Sequence, residues 1–354
     1  MRLGFIAEPR AANSNYRVIF PMRALERLGH DVLWPARMDR DLALSDLMRC
    51  DLVHCFRRLD RSRDLKQLAQ QGVAISFDND DDFSAADMTT NPARPGKLEA
   101  GGKVRAGNTK LFTEILRLTK VADLTTTPSH VLAEKYRAAQ ANHVAVIDNH
   151  LDGDLAGFGV KAAHRGLLVG WMAGAEHERD LARLPIVDVL ARLLDAHPEL
   201  RLVTVGLRLP LRSERYEFRP KVPFGELLGA IADFDIGIAP LADTPFNHAR
   251  SSIKLKEYSA VGAAWLASPV GAYRDMGAKE GGQLVGGDGW FDALHGFVSS
   301  GFKRRRLSRQ ALKWGQSQTI DRFASQWEEE FELAIERALQ RRAVTPPSPS
   351  RAPG

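Results

Sequence analysis

The 354-residue chain is 44% hydrophobic and 26% charged, which predicts a folded protein of about two domains and excludes a disordered or fibrous one. Two cysteines, Cys50 and Cys55, are too few for a disulfide framework. No run approaches the roughly 20 apolar residues of a membrane span, and no signal peptide is recognised before the first strand. A cytoplasmic location is therefore expected. Three of the net +5 charges (Arg341, Arg342 and Arg351) lie in the Pro/Ser-rich tail, and the remaining +2 does not favour nucleic acid as a partner.

The first residues predict the start of an α/β domain. Residues 2–7 form a predicted strand, residues 16–28 a helix that ends at Gly29, and residues 30–34 a second strand. Tyr16 and Arg17 stand at the start of this helix. The strand–loop–helix opening followed by Gly29-His30-Asp31-Val32 resembles the start of the amino-terminal domain of GT-B glycosyltransferases, where the first loop faces the cleft. Because an arginine side chain can reach a phosphate or an acceptor carboxylate, the resemblance makes the pair a candidate acceptor-side contact, and surface capping of the helix is the alternative.

Two more short strands are predicted at residues 51–56 and 73–77, with a helix over residues 64–71 between them. His54 and Arg57 fall near the carboxyl end of the first of these strands, and that end of a parallel sheet is where ligands bind. His54 is therefore a candidate catalytic residue and Arg57 a candidate acceptor-side residue. A purely structural histidine is the alternative for His54.

An acidic run, Asp78-Asn79-Asp80-Asp81-Asp82, follows the second of these strands directly. Clustered carboxylates can hold Mg²⁺, can raise one another's pKa to produce an acid or base, or can bind the hydroxyls or amine of an acceptor. The alternative is a solvated loop in which Asp82 caps the next turn. The position at a strand end favours function, so Asp80 and Asp81 are candidate catalytic residues.

The rest of the first half contains one long irregular segment. Residues 84–107 are rich in Pro and Gly without periodicity, which predicts a loop that acts as an acceptor-side lid. Further elements are predicted in this order: a helix at 108–121, a strand at 123–127, a helix at 130–139 and a strand at 144–147. We place the first domain at residues 1–150 and an interdomain hinge at residues 151–165.

The second domain, residues 166–318, opens with a predicted strand at 166–171 and a turn that contains Gly174 and His177. A glycine in this turn permits close approach of the backbone to a phosphate. Three further elements are predicted: a helix at 186–197, a strand at 201–205 that ends at Gly206, and a helix that runs from Phe224 to about Asp233. Arg208 and Val222 lie in the connections between these elements.

Residues 233–273 are the most informative stretch. A buried strand at 235–239, a polar loop at 242–250, a helix from Ser251 or Ser252 to Gly262, and a strand at 263–267 form one predicted βαβ unit. Its right-handed crossover places the helix N-terminus at the carboxyl edge of the sheet, where backbone N–H groups and the helix dipole bind phosphates. The amides at 251–253 are therefore candidate phosphate ligands, with Arg250 and Lys254 as nearby cations.

The end of the chain is predicted to contain a last strand at 283–287 and then helices over residues 289–340, followed by a disordered tail at 341–354. The Lys303-Arg304-Arg305-Arg306 cluster has two interpretations: a peripheral contact with anionic lipid or an acidic partner, and a solvated helix face. No Gly-x-Gly-x-x-Gly pattern follows the first strand, which argues against an NAD(P)-binding enzyme.

The block Asn247-x-x-x-Ser251-x-x-Lys254-x-x-Glu257-Tyr258 resembles the donor-binding motif of a divergent branch of family 4 glycosyltransferases, retaining enzymes of the GT-B fold. In that family a glutamate at the position of Glu257 holds the ribose of the nucleotide sugar, and the preceding amides hold its phosphates. The alternative for Glu257 is an ion pair with Lys254 on an exposed helix face. A second glutamate of the family, which contacts the sugar hydroxyls, corresponds here to Ala249.

A second block, Gly-Trp-x-x-Gly-x-x-His-x-x-Asp-Leu at residues 170–181, resembles the start of the carboxyl-terminal domain in some family members. Many relatives carry a lysine after this turn that neutralises the diphosphate, where this chain has His177 or Arg179. Arg208, Arg250 or Lys254 would then supply the charge. The resemblance implies donor-binding roles for nine residues: Gly174, Arg208, Val222, Arg250, Ser251, Ser252, Ile253, Lys254 and Glu257. Together with the strand-end residues above, the candidate catalytic residues are Asp80, Asp81, His54 and His177.

The resemblance implies an α/β protein with two doubly wound Rossmann-like domains that face a cleft, and a last helix at 319–340 that crosses back to the first domain. The implied function is retaining transfer of a sugar from a nucleotide-diphosphate sugar to an acceptor: a glycan, a peptide, a lipid or a small molecule. No metal or other cofactor is expected. A GT-B sugar-nucleotide epimerase or hydrolase, and a non-catalytic nucleotide-sugar-binding protein, are the alternatives.

Overall fold

The structure is a computed structural model that describes residues 1–9, 11–35, 40–85, 101–154 and 158–344. Most of the predicted lid (84–107), part of the predicted hinge (151–165) and most of the predicted tail (341–354) lie outside the described residues. The chain divides into two compact units. The first contains Met1–Asp80, Lys110–Ile147 and the segment from Phe323 onward, and the second contains Asp81–Thr109 and Asp148–Arg322.

The first unit is built on a six-stranded parallel sheet with strand order β2-β1-β3-β4-β5-β6. Its strands are β1 (Arg2–Ile6), β2 (Asp31–Leu33), β3 (Leu52–Phe56), β4 (Ala74–Asp78), β5 (Leu124–Thr127) and β6 (Val144–Val146). The central strands β3, β4 and β5 are buried along their whole length, as expected for strands covered by helices on both faces of a sheet.

The helices up to β6 mostly begin and end where the sequence predicts. They are α1 (Phe20–Arg27), preceded by a π-helical turn at Asn15–Ile19, then α2 (Leu44–Leu47), α3 (Ser62–Gln70), α4 (Gly101–Thr119) and α5 (His130–Ala138). Gly29 and Gly72 follow α1 and α3 with φ of 95° and 87°, a left-handed conformation that favours glycine at a helix end. The prediction of an irregular segment up to residue 107 is wrong in part, because α4 begins at Gly101.

The second unit also contains a six-stranded parallel sheet, with strand order β12-β11-β10-β7-β8-β9. Its strands are β7 (Leu167–Met172), β8 (Leu200–Val205), β9 (Tyr216–Arg219), β10 (Ile236–Ala239), β11 (Ala264–Ala267) and β12 (Gly282–Leu284). Alternate residues of β7 enter different cores: Val169 and Trp171 pack on one face of the sheet, and Leu168 and Met172 pack on the other. Both faces are therefore covered, and the two units confirm the predicted fold of two doubly wound α/β domains.

Helices of the second half surround this sheet and continue past it. They are α6 (Glu178–Arg183), α7 (Ile186–Ala196), α8 (Leu227–Ala230), α9 (Pro245–His248), α10 (Ile253–Ala260), α11 (Trp290–Ser299), α12 (Gly301–Ser317) and α13 (Ala324–Val344). Helix α13 belongs to the first unit, where Trp327 and Phe331 are fully buried beside His54.

Two elements of the second unit differ from the sequence prediction. The edge strand β9 was not predicted; its four residues, Tyr-Glu-Phe-Arg, are all partly exposed and two of them are charged, which is typical of an edge strand. The polar loop at 242–250 contains the short helix α9, which begins after Thr244, whose hydroxyl accepts a 3.2 Å hydrogen bond from the Asn247 amide. The central prediction is confirmed: β10, α10 and β11 form a parallel βαβ unit, and Gly262 follows α10 with φ of 67°.

The basic cluster on α12 is used in part within the fold. Lys303 donates to the Gln283 side chain at 2.8 Å, and Arg304 donates to the carbonyls of Phe297 and Val298 at the end of α11. Arg305 and Arg306 are exposed. No helix in the described part of the chain is both long and apolar enough to cross a membrane.

Candidate functional site

The candidate site of the second unit lies where β7 and β10 end. These strands are parallel neighbours, so the turn after Met172 and the segment after Ala239 leave the sheet at the same edge. The first connection carries Gly174, Glu176 and His177, and the second leads through α9 to Arg250 and α10. Side chains from both connections contact one another, as the following distances show.

Two cationic side chains belong to this site. The Lys254 ammonium donates a 2.5 Å hydrogen bond to the Met172 carbonyl, and Arg250 Nη2 lies 3.4 Å from Glu176 Oε1. Burial opposes the charge on Arg250, but the Glu176 carboxylate raises the pKa of the guanidinium. Burial lowers the pKa of Lys254, although the Glu257 carboxylate counteracts it. These two positive groups lie where β7 ends and α10 begins, and they are suited to bind an anionic ligand.

His177 is held in place by a hydrogen bond to Asp180. The imidazole is fully buried, and its Nδ1 lies 2.7 Å from Asp180 Oδ2. The other oxygen of Asp180 accepts hydrogen bonds from the Ala242 amide and the Asn247 side chain, each at 2.8 Å. Because an ionised carboxylate only accepts, Nδ1 of His177 carries a proton, and Nε2 is the atom left for a ligand. Burial lowers the pKa of His177 despite Asp180.

Two buried nitrogen atoms of this site have unmade hydrogen bonds. In the described part of the chain, neither Arg250 Nη1 nor His177 Nε2 has a hydrogen-bond partner. A buried polar group without a partner costs about 1–3 kcal/mol, so such atoms are kept where a ligand satisfies them. Both residues are next to the same carboxylate: His177 Nε2 lies 3.7 Å from Glu176 Oε1.

The start of α10 presents backbone donors to the same region. Ser252 is the N-cap residue, and no backbone carbonyl of the described residues accepts from the amides of Ser251, Ser252 or Ile253. This confirms the predicted start of the helix, although the Ser252 hydroxyl makes no capping hydrogen bond. The Ser252 hydroxyl instead donates to Asp148 at 3.2 Å, and the Ser251 hydroxyl accepts from the Asn149 side chain at 3.0 Å.

Glu257 lies about one turn into α10 and is 4% exposed. The alternative, an ion pair between Glu257 and Lys254 on an exposed helix face, is therefore wrong in one respect, because Glu257 is buried. A carboxylate that folds into the interior at this position needs a buried donor or cation, and Lys254 supplies a positive charge one turn earlier. The position is compatible with the ribose contact that the sequence resemblance implies.

Lys256 is a functional-site neighbour that sequence reasoning missed. It is 1% exposed, and its ammonium donates to Asp148 Oδ2 at 2.8 Å and to the Asn149 carbonyl at 2.6 Å. Burial on its own would raise the pKa of Asp148, but the charge of Lys256 lowers it. The only sequence signal is its place on the helix, three residues after Ile253, where an apolar residue would be expected.

Of the other predicted donor-side residues, Arg208 and Val222 have other surroundings, and Gly174 belongs to this cluster. The guanidinium of Arg208 stacks on the Phe218 ring at 4.3 Å, and Val222 is half-buried after β9. Arg179 is half-buried on α6. Gly174 is part of it: a Cβ atom there would lie 2.2 Å from Glu176 Oε2, so the turn requires glycine while the carboxylate is folded over it.

Arg17 and Tyr16 do not occupy the positions expected of acceptor-side residues. The Arg17 guanidinium is fully buried, donates to both oxygens of Asp78 at 2.7–3.2 Å, and donates to the Ile147 carbonyl at 2.5 Å. Tyr16 is 5% exposed and packs edge-on against Phe20. The expectation that Arg17 reaches a phosphate or carboxylate of a ligand is corrected: its carboxylate partner is internal.

His54 is a structural residue in this structure. Its Nδ1 lies 2.9 Å from the Ser76 hydroxyl and its Nε2 lies 3.0 Å from the Arg17 carbonyl, so both nitrogens are engaged. Burial lowers its pKa to about 4. The catalytic role considered for His54 is therefore corrected to packing and hydrogen bonding beneath the sheet edge.

Asp80, Arg57 and Asn13 form a second cluster at the carboxyl edge of the first sheet. Asp80 is 5% exposed, forms an ion pair with Arg57 and accepts a hydrogen bond from the Asn13 amide. Arg57 has a φ of 58°, and a left-handed conformation in a non-glycine residue is strain that concentrates at functional sites. An acid, a guanidinium and an amide together can bind the hydroxyl groups of a polar ligand.

Two further residues of the acidic run, Asn79 and Asp82, have structural partners. Asn79 donates to the Tyr136 hydroxyl at 2.6 Å, and Asp82 accepts from the Ser84 amide at 3.1 Å, which is the turn-capping alternative for Asp82. Asp81 is partly exposed. In the described part of the chain, no three His, Cys, Asp or Glu side chains are arranged to hold a metal ion.

The fold is similar to several solved structures. Sucrose-phosphate synthase from Thermosynechococcus elongatus aligns over 98% of this chain and 100% of that chain, with a TM-score of 0.65 and 14% identity. Anabaena HepE in complex with UDP and glucose aligns over 93% of this chain and 98% of that chain, with a TM-score of 0.61 and 13% identity. S. aureus TarM in complex with Fondaparinux, alpha-GlcNAc-glycerol and UDP aligns over 79% of this chain and 55% of that chain, with a TM-score of 0.56 and 8% identity.

No protein-family model and no curated protein sequence matches the chain. The structural likeness, at 14% identity or less in these three cases, confirms the GT-B fold that the sequence resemblance implies.

Proposed function

We propose that the protein is a glycosyltransferase that moves a sugar from a nucleotide-diphosphate sugar to an acceptor with retention of anomeric configuration, as a divergent relative of family 4. The observation that carries the proposal is the anion site of the second unit. Arg250, Lys254 and the first amides of α10 meet at the carboxyl edge of the sheet, with Glu257 buried farther along the same helix. The GT-B fold and the UDP present in two similar structures, those of HepE and TarM, support a uridine nucleotide as the first donor to test.

The proposed chemistry uses this site to stabilise the leaving group. The bond between the anomeric carbon and the diphosphate oxygen breaks, and a bond from the acceptor oxygen to the same face of that carbon forms. The acceptor proton passes to the departing diphosphate, so no protein base is required. Arg250, Lys254 and the α10 amides stabilise the negative charge that develops on the diphosphate, which is the type of contribution that electrostatic preorganisation makes.

The acceptor is proposed to bind to the first unit at the cluster of Asp80, Arg57 and Asn13. The three side chains offer both hydrogen-bond donors and acceptors, and a hydroxyl group needs both. We propose that catalysis needs no metal, because cationic side chains and helix amides take the part that a metal ion has in other diphosphate sites.

Calorimetry with UDP, UDP-sugars and uridine tests the donor site directly. Wild type is expected to bind UDP and not uridine at the same concentration, and Arg250→Met and Lys254→Met are each expected to weaken UDP binding at least about tenfold, since each removes a charge-assisted contact of about 1.5–3 kcal/mol. Release of UDP with formation of a glycosylated product establishes transfer. Binding without product would favour the non-catalytic alternative, for which Ala249 in place of a glutamate is the motivating residue.

A further inference from the structure

Glu176 is a negatively charged residue inside a site suited to anions. Its Oε1 lies 3.4 Å from Arg250 Nη2 and 3.7 Å from His177 Nε2. Its Oε2 is folded back over Gly174, at the place where any Cβ of residue 174 would stand. The carboxylate therefore occupies the space among the groups that we assign to the donor diphosphate.

The charge of Glu176 is maintained by these neighbours. Burial would raise its pKa, but the neighbouring side chains of His177, Arg250 and Lys254 together lower the pKa to about 2. Its side chain nevertheless remains 42% exposed. An ionised carboxylate with this exposure can turn into water at low cost, whereas a fully buried one cannot.

Glu176 satisfies the site only in part. Arg250 Nη1 has no hydrogen-bond partner among the described residues, and the contact between Glu176 and Arg250 is longer than the 2.7–2.9 Å typical of a charge-assisted hydrogen bond. A diphosphate carries more charge and more acceptor oxygens than one carboxylate. Replacement of the Glu176 carboxylate by a diphosphate is therefore favourable, but competition from Glu176 reduces the affinity for the diphosphate.

We propose that Glu176 is a resident counter-anion of the donor site, which the diphosphate displaces on binding and which returns when the nucleoside diphosphate leaves. This inference rests on the proposed function, since it takes the diphosphate as the displacing group. Glu176 stabilises the empty protein, lowers the affinity for the donor and the product, and promotes product release by competing for Arg250.

The test compares Glu176→Gln with Glu178→Gln. Glu178 is exposed on α6, two residues away, and its replacement removes the same charge without touching Arg250 or His177. Calorimetry uses inorganic pyrophosphate, UDP and uridine as probes. E176Q is expected to bind pyrophosphate and UDP about tenfold more tightly than wild type, to leave uridine binding unchanged, and to melt at a lower temperature without ligand. E178Q is expected to stay within about twofold of wild type.

Each result has a defined meaning. Tighter pyrophosphate binding in E176Q supports the counter-anion even if neither protein binds UDP, and in that case only the proposed donor is wrong. Unchanged or weaker pyrophosphate and UDP binding in E176Q overturns the counter-anion, and the proposed function stands if wild type binds UDP. Equal gains in E176Q and E178Q also overturn it, because the effect is then one of net charge. Glu176→Ala replaces E176Q if the latter does not fold.

Discussion

Replacement of Lys256 by Met tests whether the buried ammonium holds helix α10 to residues 148 and 149. The variant keeps the length and apolar stem of the side chain and removes three donor hydrogens. In the wild type these serve Asp148 at 2.8 Å, the Asn149 carbonyl at 2.6 Å and, more weakly, His150 at 3.5 Å. Lys256 is 1% exposed, so water does not replace what is lost.

The expected loss of stability depends on how far the groups that lose the Lys256 ammonium become hydrated. Breaking a fully buried ion pair from one side costs about 3–5 kcal/mol, but the Asp148 side chain is 39% exposed and becomes partly hydrated in the variant. The Asn149 carbonyl loses a charge-assisted donor, which costs about 1–3 kcal/mol. We therefore expect the free energy of unfolding to fall by about 3 kcal/mol, measured by urea denaturation at pH 7.

The pKa of Asp148 determines how the difference in stability between wild type and variant changes with pH. In the wild type the folded pKa of Asp148 is lowered, so its contribution to stability is present above the unfolded pKa and is lost as pH falls through the folded pKa. In the variant, burial without Lys256 raises the folded pKa of Asp148, so protonation at low pH favours the folded state. The difference in stability between the two proteins should therefore narrow from pH 7 toward pH 4.

Lys313→Met is the matched control, because Lys313 is exposed on α12 and surface changes usually stay within about 0.5 kcal/mol. A loss below about 1 kcal/mol in K256M, or a loss that does not change with pH, would refute the assigned role of the Asp148–Lys256 pair.

Three further outcomes are expected. Glu257→Ala should weaken UDP binding by roughly 3 kcal/mol, on the order of a hundredfold, and Glu257→Gln should weaken it by less. As a control, 2′,3′-dideoxy-UDP should bind to wild type and to the Ala variant with the same affinity. Equal binding of UDP by wild type and the Ala variant would show that Glu257 does not contact the ribose. Asp80→Asn and Asp81→Asn together should reduce sugar transfer in a product assay and leave the calorimetric affinity for UDP nearly unchanged, and loss of nucleotide affinity would contradict an acceptor-side role. Transfer should persist in EDTA, and activity that disappears on chelation and returns with Mg²⁺ or Mn²⁺ would show that a metal is required.

Much of the secondary structure could be predicted because its causes are local. The apolar runs of β7, β10 and β11, and the glycines that end α1, α3 and α10, determine those elements with little help from the rest of the chain. The errors have local causes as well. Gly101 and Gly102 were interpreted as part of an irregular segment although they begin α4, and the aromatic–charged alternation of β9 was missed because it extends over only four residues.

The βαβ unit at residues 236–267 and the position of the candidate anion site at the start of its helix were also determined by the sequence. Parallel pairing of β10 with β11 needs a right-handed crossover, and this rule alone brings the N-terminus of α10 to the carboxyl edge of the sheet. The identities of Arg250, Lys254 and Glu257 as candidates followed from their spacing on that helix and from the family resemblance.

Only the tertiary structure decided which charged residues have internal partners. Arg17 pairs with Asp78 across 61 positions of sequence, and Lys256 pairs with Asp148 across 108, so no local pattern distinguishes these buried cations from Arg250 and Lys254. Glu176 likewise has no signal of its own until the turn after β7 is placed beside α10. The physical reason is that burial and pairing depend on distances between segments far apart in the chain, and packing alone sets those distances.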